Sequence, residues 1–69
     1  APKLREELFA AIERVHADGV PVLLVEQEVG QVFRMADRNY VLSQGRIVAQ
    51  GSATQLITDE TLRAGYLGL

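Results

Sequence analysis

The stretch of sequence that decides the fold is Val20-Pro21-Val22-Leu23-Leu24-Val25-Glu26-Gln27-Glu28. Its first part is continuously apolar and rich in β-branched side chains, which predicts a strand over Val20–Val25 that is buried on both faces, as in a helix-covered parallel sheet. Pro21 is compatible with this strand because it falls at its beginning. The polar residues Glu26, Gln27 and Glu28 then lie at the carboxyl end of the strand, where open α/β sheets bind their ligands.

The segment before the strand has the pattern of an amphipathic helix. Apolar residues recur there at spacings of three and four, namely Leu4, Leu8, Ala11, Ile12 and Val15. Pro2 suits the first turn of a helix, where the backbone N–H has no intrahelical partner. Gly19 suits the left-handed position that follows a helix. We therefore expect a helix over Lys3–Ala17, directly ahead of the strand.

The segment after Glu28 predicts a second helix and a β-hairpin. Apolar residues at helical spacing favour a short helix that ends at about Met35, and they are Val29, Val32, Phe33 and Ala36. Asn39–Ser43 and Arg46–Gln50 are strand-like and are joined by Gln44-Gly45. A two-residue link that ends in glycine indicates a hairpin, because glycine accepts the positive φ that the turn requires.

Two short helices are expected to complete the chain. Ser52 and Gln55 form a Ser-x-x-Gln capping box, which predicts a helix of one to two turns. Asp59 to about Tyr66 is expected to form the last helix, with Leu62 and Tyr66 on one face. The order of helix, buried strand, helix, hairpin and two helices is of the α/β class. A single parallel-type strand needs neighbours, so the order indicates part of a larger domain.

Composition sets limits on the kind of protein. A chain of 69 residues forms at most one small domain, and such a domain buries only about 60% of the surface that the unfolded chain exposes. The lack of cysteine excludes disulfides and thiolate metal ligands. A net charge of −2 with scattered basic residues gives no reason to expect nucleic acid. The longest apolar run is far too short to span a bilayer.

Motifs that would carry chemistry alone are missing from the sequence. It contains neither a Gly-x-x-x-x-Gly-Lys-Ser/Thr loop nor Gly-x-Gly-x-x-Gly, and no metal site is predicted. His16 has no nucleophile or second ligand near it in sequence, so we expect it at the surface of a helix end. Glu6 and Glu7 are expected on a solvated helix face. The N-terminus has neither an initiator Met nor a signal-peptide pattern.

Gln27 allows two interpretations. In the first, the polar residues around it simply terminate the strand. In the second, its amide reaches into a crevice as a hydrogen-bonding group. An amide offers donors and an acceptor but is no general base at neutral pH. Gln27 would then position a water molecule or a phosphate oxygen without taking a proton.

Two runs of residues carry a resemblance to a known family. They are Val22-Leu23-Leu24-Val25-Glu26-Gln27 and Ala36-Asp37-Arg38-Asn39-Tyr40-Val41-Leu42-Ser43-Gln44-Gly45-Arg46-Ile47-Val48-Ala49-Gln50-Gly51. Together with the ending Tyr66-Leu67-Gly68, they resemble the C-terminal part of an ABC-transporter ATP-binding subunit. More narrowly, they resemble the subunit of uptake systems for branched-chain amino acids and related amides or urea. The similarity runs from Ala1 to Leu69 without an obvious gap.

The resemblance implies a fold and site residues. Residues 1–69 would be the C-terminal segment of a P-loop NTPase-like nucleotide-binding domain, with the end of the D-loop, the switch-loop strand, the C-terminal hairpin and helices. Gln27 matches the switch position, where most members have a His that contacts the γ-phosphate and this subgroup often has Gln. Glu26 would face neighbouring structure. Ala1 and Pro2 match the end of the D-loop, at the interface between two ATP-binding subunits. Ala1 stands where Asp is frequent.

The resemblance also implies an activity and partners for the whole protein. It would bind ATP and Mg²⁺ and hydrolyse ATP for an importer, as a dimer with a second ATP-binding subunit. Its other partners would be transmembrane permease subunits and, indirectly, a periplasmic solute-binding protein, at the cytoplasmic face of the bacterial inner membrane. The phosphate loop, signature motif and metal-binding strand would lie upstream of Ala1, so the segment alone is expected to bind no cofactor and to be inactive. The alternative is a free-standing α/β interaction or regulatory domain without a nucleotide, with an initiator Met just before Ala1.

Overall fold

The structure is a computed structural model that describes residues 1–68. Its regular elements are helix α1 (Pro2–Ala17), helix α2 (Val29–Met35), strand β1 (Asn39–Ser43), strand β2 (Arg46–Gly51), helix α3 (Ala53–Ile57), helix α4 (Glu60–Leu62) and a π-helical turn (Arg63–Leu67). The described sheet has two strands, which pair antiparallel. The chain is thus a small mixture of helices and one hairpin, and none of its described helices is long and apolar enough to cross a membrane.

Helix α1 confirms the first predicted helix and ends as expected. Gly19 has a φ of +93°, in the left-handed region. Its backbone N–H donates to the carbonyl of His16 at 2.9 Å, and that of Val20 donates to the carbonyl of Val15 at 3.4 Å. These two bonds form a Schellman motif, which satisfies carbonyls left free at a helix end. The chain turns back from this point into residues 20–28.

The predicted strand over Val20–Val25 is wrong for this chain. These residues pair with no strand in the described part of the structure, and the side chains of Leu23 and Val25 are 88% and 87% exposed. A strand is completed by hydrogen bonds to a neighbouring strand. The described residues place no such neighbour beside this segment, so its apolar character alone does not make it a buried strand.

The hairpin is confirmed at both strands and at the turn. Gln44 and Gly45 both have positive φ values, 50° and 77°, which is the pattern of a type I′ turn. Val41 pairs with Ala49 but Leu42 pairs with Ile47, so one residue of β2 is bulged out of the ladder. Such a bulge bends the strand and increases its twist. Strand β2 also extends one residue further than predicted, to Gly51.

The capping box of α3 is confirmed. Oγ of Ser52 accepts a hydrogen bond from the backbone N–H of Gln55 at 3.2 Å, and Oε1 of Gln55 accepts one from the backbone N–H of Ser52 at 2.8 Å. The pair therefore satisfies two backbone donors at the beginning of the helix. The helix has only five residues, and it is also held by Leu56, which is buried in the core.

The last predicted helix is present, but Leu62 and Tyr66, which were expected on one face, differ in burial. Oδ1 of Asp59 caps α4 by accepting from the N–H of Leu62 at 3.0 Å. A π-helical turn follows, in which hydrogen bonds join residues five apart. The wider turn brings Leu67 to the inside, where it is 8% exposed, while Tyr66 is 53% exposed. Leu62 and Leu67 are therefore the buried residues of this segment, while Tyr66 is exposed.

A small core forms between the hairpin and the helices that follow it. Its buried members are Leu56, Leu62 and Leu67, and its partly buried members are Val29, Phe33, Val41 and Ala49. Helix α2 is thus attached to the core through Val29 and Phe33. Helix α1 buries Phe9, whereas Leu4, Leu8 and Val15 of its apolar stripe stay exposed. The described residues do not cover that stripe.

Candidate functional site

The polar loop after the apolar segment is held by an arginine of α1. Arg5 donates from Nη2 to Oε1 of Glu26 at 2.8 Å and to Oε2 of Glu28 at 2.9 Å. Its Nε donates to the same oxygen of Glu28 at 3.2 Å. One guanidinium therefore ties both carboxylates of the loop to the first turns of α1. Guanidinium–carboxylate bonds are among the stronger hydrogen bonds because both partners are charged.

Glu26 also organises the backbone of the loop. The same Oε1 that accepts from Arg5 accepts the backbone N–H groups of Gln27 and Glu28, each at 3.1 Å. The Arg5 hydrogen bond and then the N–H of Glu28 lower the pKa of the Glu26 carboxyl from its ordinary value. Hydrogen bonds to Glu26 and then Glu28 raise the pKa of Arg5. Each partner thus favours the charged form of the other.

Gln27 lies in sequence between the two glutamates that Arg5 binds, and its own side chain takes no part in these hydrogen bonds. Its backbone N–H is held by Glu26, while its side chain is exposed and makes no hydrogen bond within residues 1–68. The next residue, Glu28, begins helix α2 as its N-cap. The amide of Gln27 is therefore available to a ligand or a neighbouring structure, on a backbone that is fixed from both sides.

The other two predicted site residues lie at the same end of the structure. Ala1 is the N-cap of α1, and its carbonyl accepts the backbone N–H of Arg5 at 3.1 Å. Pro2 lines a shallow cleft of about 340 Å³ between α1 and α2, together with Arg5, Phe9 and Glu28 among others. Ala1 and the loop of Gln27 are thus connected through one helical turn and the side chain of Arg5.

The sequence named Gln27 as a candidate and predicted that Glu26 faces neighbouring structure, but it did not indicate Arg5. Arg5 is separated from Glu26 by 21 residues and from Glu28 by 23. Patterns of charge along a helix reveal only pairs three or four residues apart. No signal in the sequence therefore pointed from Arg5 to the loop.

Three other residues considered from the sequence, His16, Glu6 and Glu7, lie at the surface as expected. His16 is about half exposed at the end of α1, with its Nε2 3.4 Å from Oδ2 of Asp37. Glu6 and Glu7 are exposed. Within the described residues, no three His, Cys, Asp or Glu side chains come together in a group that would hold a metal ion.

Comparison with curated proteins shows that the chain belongs to the ATP-binding subunits of ABC transporters. It is 43% identical over 68 residues to the high-affinity branched-chain amino acid transport ATP-binding protein BraG of Pseudomonas aeruginosa, an alignment of 99% of this chain and 29% of BraG. It is 32% identical over 57 residues to the lipopolysaccharide export system ATP-binding protein LptB of Klebsiella oxytoca, covering 83% of this chain and 84% of that sequence. A third relative is the ribose import ATP-binding protein RbsA 1 of Streptomyces coelicolor, 36% identical over 64 residues, 93% of this chain and 12% of the relative.

These matches confirm the resemblance that the residues carried. The chain spans less than a third of the length of BraG. No family model matches the chain, and no solved structure matches it.

Proposed function

We propose that this chain is the C-terminal segment of the ATP-binding and ATP-hydrolysing subunit of an ABC importer for branched-chain amino acids. The observation that carries the proposal is the 43% identity to BraG along nearly the whole chain. In this proposal the helices and hairpin form one part of a P-loop NTPase-like nucleotide-binding domain. The segment contributes to ATP binding in the whole protein and is inactive by itself.

Gln27 is the residue of this segment that acts on the nucleotide in the proposal. Its exposed side chain and its fixed backbone support this role. A group that binds a ligand must be accessible to the ligand and must be held close to the correct position. The amide donates a hydrogen bond to an oxygen of the γ-phosphate and orients it. A side-chain amide has no proton-accepting nitrogen at neutral pH, so Gln27 positions and senses the phosphate without acting as a base.

The described residues fit a phosphate contact better than a metal site. Mg²⁺ prefers oxygen ligands, but the two carboxylates beside Gln27 are both engaged by Arg5. The remaining nucleotide-binding groups, including those that hold Mg²⁺, belong to other parts of the whole protein in this proposal. The contribution of residues 1–69 is then the hydrogen bond from Gln27.

The proposal also specifies partners and location. Ala1 and Pro2 lie at the interface with a second ATP-binding subunit, and their exposure supports this position. The dimer works with transmembrane permease subunits and, through them, with a periplasmic solute-binding protein. Its place is the cytoplasmic face of the bacterial inner membrane.

The exposed apolar residues favour a chain that another structure covers over a domain that functions without a partner. Leu23 and Val25 are almost fully exposed, and Leu4 and Leu8 are mostly exposed. Clusters of exposed apolar side chains mark surfaces that another structure covers. A domain that functions alone would be expected to bury them.

The test is ATP hydrolysis by the full-length subunit, with Gln27→Ala compared with the wild type. We expect kcat to fall about tenfold or more, because a hydrogen bond to a charged group contributes about 1–3 kcal/mol. The free energy of unfolding should change by less than about 0.5 kcal/mol, as is usual for an exposed side chain. A loss of activity accompanied by a comparable loss of stability would favour the interpretation that Gln27 has only a structural role in its loop. Upstream sequence without a phosphate loop and signature motif would refute the proposed function itself.

A further inference from the structure

Arg5 is held more firmly than its position on an exposed helix face suggests. Its guanidinium carbon lies 5.1 Å from the centre of the Phe9 ring, and Phe9 is the buried residue of α1. A cation over an aromatic face is attracted to it. The ring and the helix backbone therefore constrain the guanidinium from one side, while the loop carboxylates constrain it from the other.

The two carboxylates depend on Arg5 for their arrangement. Both accept from the same Nη2 atom, at 2.8 Å for Glu26 and 2.9 Å for Glu28. Without the guanidinium, two like charges would remain close together with no cation between them. Repulsion would then separate them, and Glu26 would no longer be held where it accepts the backbone N–H groups of Gln27 and Glu28.

Gln27 has nothing else to orient it within the described structure. Its side chain makes no hydrogen bond there, so the direction of the amide follows from the backbone alone. That backbone is set on one side by Glu26 and on the other by the first turn of α2, whose Val29 and Phe33 pack on the core. The contact through Glu26 connects the backbone of Gln27 to helix α1, because Glu26 accepts a hydrogen bond from Arg5.

We propose that Arg5 is a positioning residue for Gln27: by binding Glu26 and Glu28, it fixes the loop that presents the Gln27 amide to the nucleotide. This inference rests on the proposed function. Because Arg5 donates its backbone N–H to Ala1, the same contacts link the residues at the proposed subunit interface to the proposed phosphate contact. A displacement of the N-terminal end of α1 would therefore also displace the loop of Gln27, because the side chain of Arg5 connects the two.

The test is a double-mutant cycle in the full-length subunit, measured as kcat and KM for ATP. The variants are Arg5→Ala, Gln27→Ala and the two combined. Arg5→Ala is expected to lower kcat by about tenfold to a hundredfold, the range for a misplaced group, with a smaller change in KM. In the Gln27→Ala background, adding Arg5→Ala should lower kcat less than about twofold, since residues that act as a unit are not additive.

The matched control is Arg14→Ala, which removes the same charge from the same helix. Arg14 is exposed and makes no ion pair with any residue from 1 to 68, and it lies nine positions along α1, on the opposite side from Arg5. Its kcat should equal that of the wild type. If Arg5→Ala does not fold, Glu26→Gln replaces it in the cycle, because it keeps the shape of the side chain but weakens its bond to Arg5. Glu26→Gln is expected to lower kcat in the same way.

The outcomes separate this inference from the function on which it rests. If the wild type hydrolyses ATP and Gln27→Ala is impaired, but Arg5→Ala matches Arg14→Ala, then the positioning role is wrong and the proposed function stands. An equal fold-loss from Arg5→Ala in both backgrounds also overturns the positioning role, because it indicates a general structural effect. A wild-type subunit that does not hydrolyse ATP overturns both.

Discussion

A Cβ atom at Gly51 would lie 2.5 Å from Oε1 of Gln55, the atom that caps helix α3. Gly51 also has a φ of +149°, which side chains rarely allow. The hairpin therefore ends, and the next helix begins, at a position whose backbone favours glycine and where a side chain would displace the Gln55 amide from its cap.

The first prediction is that Gly51→Ala destabilises the protein. The backbone strain, with the displacement of Gln55 from its cap, should cost about 1–3 kcal/mol. The free energy of unfolding in denaturant measures it. Gly65→Ala is the control, because nothing lies within 4 Å of its added Cβ. Equal stability of the two variants would contradict the requirement for glycine at position 51.

The second prediction separates Leu67 from its neighbour Tyr66. Leu67→Ala should lower the free energy of unfolding by about 2–4 kcal/mol, since it leaves a gap beside Leu62 and Leu56. Tyr66→Ala should cost less than about 1 kcal/mol, because its ring is half exposed. The free energy of unfolding in denaturant, measured for both variants, tests this difference. The reverse order would show that the last turn is an ordinary α-helix with Tyr66 inside.

The third prediction concerns the pH dependence of the Arg5–Glu26 pair. The folded structure lowers the pKa of Glu26, with the hydrogen bond from Arg5 as the main cause. The ionised Glu26 carboxylate therefore stabilises the fold fully above the pKa that Glu26 has in the unfolded chain. This stabilisation is lost as the pH falls through the lower pKa that Glu26 has in the folded protein. The stability difference between wild type and Glu26→Gln should shrink as the solution is acidified from neutral pH.

The control for this titration is Glu13→Gln, which changes an exposed carboxyl of α1. Unfolding temperatures are recorded over the same pH range for all three proteins. If the Glu26→Gln difference stays constant down to strongly acidic pH, the carboxylate does not stabilise the fold through its charge.

The fourth prediction is that the 69-residue chain alone hydrolyses no ATP and shows no ATP-dependent shifts in its NMR spectrum. One glutamine amide does not replace the lysine and metal that stabilise the charge of phosphoryl transfer. The spectrum of labelled chain with and without ATP and Mg²⁺ provides the measurement. Tight nucleotide binding would contradict this expectation. A sharp cooperative unfolding transition of the isolated chain would favour the free-standing domain.

Elements that depend on near neighbours were predictable from the sequence. Helices α1 and α2 follow from apolar spacing, and the hairpin follows from Gln44-Gly45, because both kinds of element form bonds within a few residues. The capping box joins residues three apart, so it was equally visible. The family was also evident from the residues of the hairpin and of the loop before α2.

Elements that depend on distant partners were not predictable in the same way. The apolar run from Val20 has the composition of a buried strand, yet a strand also needs hydrogen-bonding neighbours, and none lies beside it in residues 1–68. The π-helical turn escaped prediction for a different reason. Ordinary helical spacing assumes bonds between residues four apart, and one wider turn moves the inner position from Tyr66 to Leu67.

The sequence by itself determined the helices, the hairpin, the family and the identity of Gln27 as the candidate residue. Only the tertiary structure decided that Arg5 holds Glu26 and Glu28, and so that α1 supports the loop of Gln27. The physical reason is distance along the chain. Spacing patterns report which residues share a face of one element, whereas this ion pair depends on the turn at Gly19 that brings residues 21 and 23 positions apart into contact.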